Sequence, residues 1–544
     1  DYYNCITAGK TGCVATGRGV YQFTVSTGSP ALSYNQVESS WFINDDIRVS
    51  QTFTLSLGLR HEFQTNLGDK ANFAPRVGIA WSPFKDRKTT FRAGGGLFFQ
   101  RLNDSQYAQT IRFNGVTQLN YLITNPDKYL PNYKPGDPLP KTCDFNGLNC
   151  KDSVALAAST NRYILDPNLK APYNYNFNFS VERQLPWGLT TTSNFVFAKG
   201  THLFRTRNIN AIKIEELTTK PACLSNPSDI NCTRPIPTEG NILQTEASAK
   251  SRFMMLNVGV NRRLGRVAMF FSNYTLTDMK SDAGGLPMNN YDLRGEWGSM
   301  AGRHSFFLMS RISLPKGFSF NPMFSMRSGS PFGITLGQDA NRDTNFNDRP
   351  AGISRNADLP ANLYSQISGC RVGQLQNGVC VGTGAISFTD YLNQNFPNGI
   401  RALGPGSVQM NANLSKTFGF GKRNDSGGNA GGMGGGRGGP GGGPGGGPGG
   451  GMGGMMGGMG GMMGGMGGGG GRGGGGGGGR MGGGMGGGGV EGKRYTLQLQ
   501  AQVTNIFNHV NFGQYTGTLT SPYFNASNSA SPGRQVELSM RFSF

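Results

Sequence analysis

The decapeptide Asp339-Ala-Asn-Arg-Asp-Thr-Asn-Phe-Asn-Asp348 is the clearest cluster of potential ligands in the chain. It sets Asp339, Asn341, Asp343 and Asn345 at alternate positions and closes on Asp348. Hard oxygen donors gathered by a tight turn are what calcium takes. The Gly and Glu that an EF-hand needs at its sixth and twelfth positions are missing, however. The other reading is a turn in which Asx side chains bond their own backbone, and the sequence leaves both open.

Eight cysteines fall into four close pairs: Cys5 with Cys13, Cys143 with Cys150, Cys223 with Cys232, and Cys370 with Cys380. None has the Cys-x-x-Cys spacing of zinc or redox sites. Each pair lies in a polar stretch between strand candidates. Four local disulfides are the simplest reading and imply an oxidising compartment; free thiols are the alternative. The four histidines, His61, His202, His304 and His509, make no ligand spacing. No nucleophile elbow, zinc-protease helix or phosphate loop occurs. The Gly94–Gly96 run is not followed by a helix signal. No catalytic constellation is found, so an enzyme is not expected.

Between Asn424-Asp-Ser426 and Glu491 the chain is built mainly of Gly, Met and Pro, which cannot form a packed core and reads as flexible coil. Met452, Met455, Met456, Met459, Met462, Met463 and Met466 could offer thioethers to Cu(I). Arg437, Arg472 and Arg480 are too sparse for an RNA-binding segment. A spacer without ligand is the plainer reading.

The elements that must carry these groups are strands. Hydrophobic residues are only 36% of the chain, and 88 of the 544 residues are Gly. No run of about 18 apolar residues could form a transmembrane helix. A membrane barrel shows lipid only every second residue, so a polar average is compatible with one. The net charge of +20 is spread singly rather than in blocks, which argues against a nucleic-acid patch. The chain opens on Asp1 with no signal-peptide pattern near it, so either a signal has been removed or the chain is an internal fragment; with no apparent plug, the fragment is the expectation.

Alternation is plainest over Gly533–Phe544, where Val536, Leu538, Met540, Phe542 and Phe544 interleave with Gln535, Glu537, Ser539, Arg541 and Ser543. It recurs over Lys493–Asn508, Gln51–Phe63 and Tyr173–Arg183. About thirteen strands are predicted, near 36–47, 51–63, 74–82, 88–100, 173–184, 189–199, 252–263, 266–277, 304–314, 317–328, 406–418, 493–508 and 533–544. Gly19–Thr27 is a further candidate.

Short links (Arg48–Ser50, Pro83–Lys88, Leu185–Gly188, Arg263–Gly265, Leu314–Gly317) alternate with long ones. The long ones are Arg101–Pro172, Gly200–Lys250, Asp278–Arg303, Ser328–Gly404 and Val510–Pro532. Turns on one side and long loops on the other are the layout of an outer-membrane barrel, with the loops extracellular. Trp81 and Trp187 then fall at the short-turn ends, where an aromatic girdle belongs. The odd strand count suggests that earlier strands are missing, because an open edge in lipid leaves backbone groups unpaired. The parity sends three cysteine pairs outward, those of Cys143 with Cys150, Cys223 with Cys232, and Cys370 with Cys380. It sends the Gly/Met run to the periplasm and leaves Cys5 and Cys13 unplaced. Three segments result: 1–423 and 493–544 as barrel, 424–492 as a periplasmic insertion.

Trp41-Phe-Ile-Asn-Asp-Asp-Ile-Arg-Val49, Leu55-Ser-Leu-Gly-Leu-Arg60, Phe73-Ala-Pro-Arg-Val-Gly78, Gly94-Gly-Gly-Leu-Phe-Phe99 and Val503-Thr-Asn-Ile-Phe-Asn-His509 resemble the barrel of Oar-like TonB-dependent receptors. The resemblance implies the C-terminal portion of a 22-strand antiparallel transmembrane β-barrel whose N-terminal plug lies outside this chain. It further implies uptake energised by the TonB complex, with lipopolysaccharide and outer-membrane lipid around the wall. Phe544 resembles the signal read by the barrel-assembly machinery. A structural or adhesive surface barrel without transport is the alternative, and a passive porin a third. No cofactor is expected, apart from calcium at the Asp339–Asp348 turn.

Overall fold

The computed structural model describes residues 22–124, 158–213, 234–361, 375–376, 379–380, 394–422 and 493–544, apart from positions 238, 266, 338, 342, 351, 520 and 522. The Gly/Met run lies outside the described residues. So do Cys5, Cys13, Cys143, Cys150, Cys223, Cys232 and Cys370, and of Cys380 only the backbone is described. All four expected disulfide pairings, Cys5 with Cys13, Cys143 with Cys150, Cys223 with Cys232 and Cys370 with Cys380, therefore fall outside the described residues.

Residues that alternate between apolar and polar suit a sheet with one apolar and one polar face, and in a membrane barrel these faces meet lipid and water. The strands are β1 (Gln22–Gly28), β2 (Glu38–Ser50), β3 (Phe53–Gln64), β4 (Asn72–Trp81), β5 (Thr89–Phe99), β6 (Gln118–Thr124), β7 (Ala158–Leu165), β8 (Tyr173–Leu185), β9 (Leu189–Asn208) and β10 (Asn241–Leu264). They continue with β11 (Ala268–Ser281), β12 (Gly298–Ser299), β13 (His304–Leu314), β14 (Phe318–Arg327), β15 (Leu375–Gln376), β16 (Val379–Cys380), β17 (Ser407–Lys422), β18 (Lys493–Thr504) and β19 (Gln535–Ser543). The α-helix α1 (Asp104–Arg112) starts on Asn103, whose side chain accepts from the Ser105 N–H.

Thirteen of these strands make one antiparallel wall: β2-β3-β4-β5-β8-β9-β10-β11-β13-β14-β17-β18-β19. They are the thirteen that alternation predicts, displaced by a few residues at their ends. The further candidate near Gly19–Thr27 is β1, which is not part of the wall. It pairs with β6, β6 with β7, and β7 lies parallel to the start of β10. β9 and β10 run well past their predicted limits. Beyond a bulge near Ala249 they continue together to Asn208 and Asn241, where β7 joins β10.

The turns explain the registers. Leu185-Pro-Trp-Gly188 and Leu314-Pro-Lys-Gly317 use the same device: Trp187 (φ 62°) and Lys316 (φ 60°) are left-handed, each followed by a left-handed Gly. Two successive positive φ values give the type I′ turn, whose twist matches the strands it joins. The ends flanking the Gly/Met run, Lys422 and Lys493, are register partners on this same short-turn side.

Parity fixes the outward face. Tyr175, Phe177 and Phe179 of β8 are exposed, and their cross-strand neighbours Phe197, Phe195 and Leu256 continue the apolar surface. Trp81, half exposed, packs its ring 6.0 Å from Phe91 at the short-turn rim, as the girdle predicts. Trp187 is 80% exposed on its turn. At the opposite rim Trp41, His61 and Phe73 cluster, with ring centroids 4.6–6.2 Å apart. Eight residues of β3 separate Phe53 from His61, roughly 27 Å of strand, which suits a tilted crossing of the hydrocarbon layer.

Every residue of β2 and β19 is exposed, and no register pairs the two among the described residues. Both strands run from the long-loop side to the short-turn side.

Candidate functional site

The inward face of the wall is a polar row. Reading across adjacent strands, Arg92, Ser180, Asn194, Asn257, Thr275, Ser305, Arg327 and Ser407 are successive register partners. Asn257 Nδ2 donates to Thr275 Oγ1 at 2.9 Å across this row. Each of these residues is flanked by outward neighbours such as Phe179, Phe195, Leu256 and Leu276. Eight polar positions in line around half a sheet make a surface that water and polar solutes wet. It contains no nucleophile–base pair.

Above the long-loop rim the connections are folded, which alternation could not reveal. Phe332, Ile334, Ile353, Leu359, Ile400 and Ala402 from the β14–β17 connection bury themselves against Leu519 and Phe524 from the β18–β19 connection. Ile334 and Leu359 are fully buried. The backbone closes the same core: Leu359 N–H donates to Ile400 O at 2.9 Å and Ile400 N–H returns to Leu359 O at 2.8 Å. At Gly517 the two connections touch so closely that a Cβ there would sit 1.8 Å from Gly333 O, so only Gly fits. A second small core, Leu67, Leu102, Leu169 and Ala171, holds the connections on the far side of the rim.

Between these cores an asparagine ladder ties the strands together. Asn120 Nδ2 donates to Ser26 Oγ (3.0 Å), Asn161 Nδ2 to Asn120 Oδ1 (2.8 Å), Asn241 Nδ2 to Asn161 Oδ1 (2.8 Å) and Asn208 Nδ2 to Asn241 Oδ1 (3.0 Å). The Asn208 N–H then donates to Asn290 Oδ1, and Asn290 Nδ2 donates to Asp343 Oδ2, both at 2.8 Å. β1, β6, β7, β10 and β9 are thus coupled into the Asp339–Asp348 turn, by side chains except where the Asn208 backbone N–H meets Asn290. Ion pairs flank the ladder: Arg205–Asp282 and Arg207–Glu246, each at 2.9 Å, and the buried pair Arg349–Glu296. Asn208 and Asn210 are fully buried, and a buried amide is tolerated only when it is bonded in this way.

The five candidate calcium ligands sit together in this turn, turned upon its own backbone. Asp339 accepts from the N–H groups of Asp343 (3.0 Å) and Thr344 (2.9 Å), and Asn341 Oδ1 from Asp343 N–H (3.0 Å). Asp343 Oδ1 accepts from Asn345 N–H at 2.9 Å, and Asp348 Oδ2 from Ala340 N–H at 2.7 Å. This is Asx-turn geometry. Among the described residues no group of three or more His, Cys, Asp or Glu side chains is disposed to hold a metal. Burial pushes the Asp348 carboxyl up to about 7 against its backbone donors, and the neighbouring Asp343 and Asp339 add to the rise. Burial likewise raises Asp343, opposed by hydrogen bonds from Asn345, Asn290 and Asn341. Arg234, whose Nη1 donates to Asn241 Oδ1 at 2.7 Å, is lowered by burial against the attraction of Asp343 and Asp339.

Sequence reasoning found the turn but neither the ladder nor the cores. Its ladder partners, Asn120, Asn161, Asn208, Asn241 and Asn290, are scattered singly, and only the extended β9–β10 arm brings them into line.

A family comparison agrees with this architecture. The family model described as an outer membrane beta barrel domain matches residues 66–425. No curated protein shows significant similarity to the chain. Among solved structures, the outer membrane transporter YddB from Escherichia coli is 10% identical with a TM-score of 0.45, covering 93% of this chain and 45% of that one. The siderophore receptor PirA from Acinetobacter baumannii is 11% identical, TM-score 0.45, with 94% and 46% covered. The ferric enterobactin receptor PfeA from Pseudomonas aeruginosa is 12% identical, TM-score 0.43, with 93% and 44% covered. The chain therefore spans somewhat under half the length of these structures.

Proposed function

The chain belongs to the outer membrane β-barrel domain family, and from that premise we propose that it forms wall and extracellular face of an Oar-like, TonB-dependent receptor that takes a ligand up across the outer membrane. One observation carries the reading: the polar row from Arg92 to Ser407 lines the inward face beneath a folded extracellular roof. A roof with its own cores can present a fixed binding surface, and a wettable wall below it suits passage of a polar ligand.

Because β2 and β19 run the same way, an odd number of further antiparallel strands closes the sheet between them. The 22-strand barrel of the resemblance meets that condition. A plug and a segment contacting the TonB complex belong to the same proposal, as does recognition of Phe544 by the barrel-assembly machinery. Phe544 is 95% exposed, its ring 6.2 Å from Phe542. Local disulfides joining Cys143 to Cys150, Cys223 to Cys232 and Cys370 to Cys380 in the extracellular connections are part of it too, since that side of the membrane is oxidising.

The test is uptake by cells carrying the complete gene. Accumulation of the ligand should fall to the level of the gene deletion when the TonB complex is removed. Uptake that persists unchanged without TonB contradicts the proposal and favours a passive pore. Absence of any solute phenotype, together with loss of cell–cell contact, favours the adhesive barrel.

A further inference from the structure

Three guanidinium groups converge on the connection between β11 and β13. The carbonyls of Asp282, Ala283 and Gly284 follow one another along it. Arg205 Nη2 donates to the first at 2.9 Å, and Arg355 Nη1 to the second and third at 3.4 and 3.2 Å. Further along, Arg349 Nη2 donates to Gly295 O at 3.3 Å, and the Arg355 backbone N–H meets the same oxygen at 2.9 Å. One residue from β9 and two from the β14–β17 connection are thereby held on one short segment.

The carboxylates present do not match them. Asp282 Oδ2 takes Arg205 Nη2 at 2.9 Å, and Glu296 takes Arg349. Arg355 has no ion pair among the described residues. The Arg205 and Arg349 side chains are only 1% and 7% exposed, and each keeps a buried Nε without a hydrogen-bond partner. Burial lowers Arg355 from its ordinary pKa; Arg349 and Arg205 add to the fall, while Glu296 and Asp282 oppose it. Two carboxylates against three guanidinium groups leave one positive charge over, and a part-buried charge without a counter-ion is costly.

What Arg355 leaves free has a shape. Its Nη1 is engaged by two carbonyls, whereas Nε and Nη2 have no acceptor among the described residues. That edge of a guanidinium is a two-pronged fork, which matches the paired oxygens of a carboxylate, sulfate or phosphate better than a spherical ion. Gly284 makes room for it: a Cβ there would stand 3.3 Å from Arg355 Nη2, and its φ of 128° favours Gly. A Cβ on the next residue, Gly285, would meet nothing within 4 Å, so open space lies beside this segment.

We propose that the Arg205–Arg349–Arg355 cluster is an oxyanion-binding site, in which the free Nε–Nη2 edge of Arg355 takes two oxygens of a phosphate, sulfate or carboxylate group. Joined to the uptake reading, on which this step rests, the cluster gives the ligand a class: an anionic solute held by the extracellular connections. The site itself does not need that reading, because binding is measured on the protein alone, without TonB.

Hydrogen exchange of the complete protein in detergent, read by mass spectrometry over 282–299 and 349–358, tests it. The probes are inorganic phosphate, phenyl phosphate and chloride at matched ionic strength. Phosphate should protect both segments and chloride should not. Protection by the ester as well assigns the site to the end group of a larger ligand, and its exclusion assigns the site to the free ion; both support an oxyanion site. Arg355→Gln should weaken phosphate binding by about tenfold or more, the loss of a charged fork. Arg355→Lys, which keeps the charge without the fork, should fall between the two. Arg294→Gln removes an exposed neighbour already paired with Asp292 at 2.6 Å and should leave binding unchanged. Exchange at the Leu359–Ile400 hydrogen bonds, unaltered in phosphate-free buffer, shows that the roof of each variant is folded. Equal protection by chloride and phosphate, no protection by phosphate, or protection that survives in full in Arg355→Gln overturns the proposal.

Discussion

Truncating Leu359 to Ala should open the extracellular roof while leaving the barrel wall intact. Leu359 is fully buried and its backbone exchanges two hydrogen bonds with Ile400. Loss of a fully buried Leu side chain costs about 3 kcal/mol, transfer and cavity together. That raises the open population of the roof about a hundredfold. The wall does not share the cost, because its ladders run from β2 to β19 without using this core. Limited proteolysis of intact cells reads the difference: where opening is fast relative to cleavage, the rate follows the open population. Cleavage in the β14–β17 and β18–β19 connections should accelerate by about two orders of magnitude, with heat-modifiable migration of the barrel unchanged. Unchanged cleavage would show that the roof is not held by this core. Loss of the heat-modifiable form at the same dose would show that roof and wall unfold as one unit.

Other outcomes follow from the polar network. Asn290→Ala removes the link between Asn208 and Asp343 and should destabilise the roof by about 1–3 kcal/mol, the cost of leaving buried partners unmet, read by hydrogen exchange in the β9–β10 arm. Because the Asp348 carboxyl is raised to about 7 in the folded turn, the folded state holds a proton that the unfolded one releases. Stability of the turn is then greatest at acid pH and falls as pH rises from about 4 to about 7, so protease resistance should increase on acidification. Asp348→Asn should flatten that profile and raise resistance at pH 8, whereas calcium or chelator should leave it unmoved; a calcium-dependent shift would favour metal in the turn. Phe544→Ala should lower the amount of protein reaching the outer membrane without altering transcript, measured by fractionation.

The wall was legible from sequence because each of its strands meets two solvents, and two solvents write a period of two into residues such as Val536–Phe544 or Tyr173–Val181. The roof was not. Leu359, Ile400 and Leu519 are isolated apolar residues in polar stretches, and nothing local says that they meet. β6 and β7 are short and lie in a long connection, so no alternation announces them. β9 and β10 outrun their predicted ends because above the bilayer Thr201–Asn208 no longer alternates. The Asp339–Asp348 turn was visible as a pattern of oxygens, but its contacts with backbone N–H donors and Asn290 depend on how the turn closes.

The central claim is a wall whose two faces meet different solvents under an extracellular roof. Single cysteines placed in turn at Asn176, Phe177, Asn178 and Phe179, in a chain whose native cysteines are changed to Ser, test it with a small water-soluble maleimide on isolated outer membranes. Labelling should alternate, strong at 176 and 178 and absent at 177 and 179. Uniform labelling of all four positions, or the opposite phase, would contradict it.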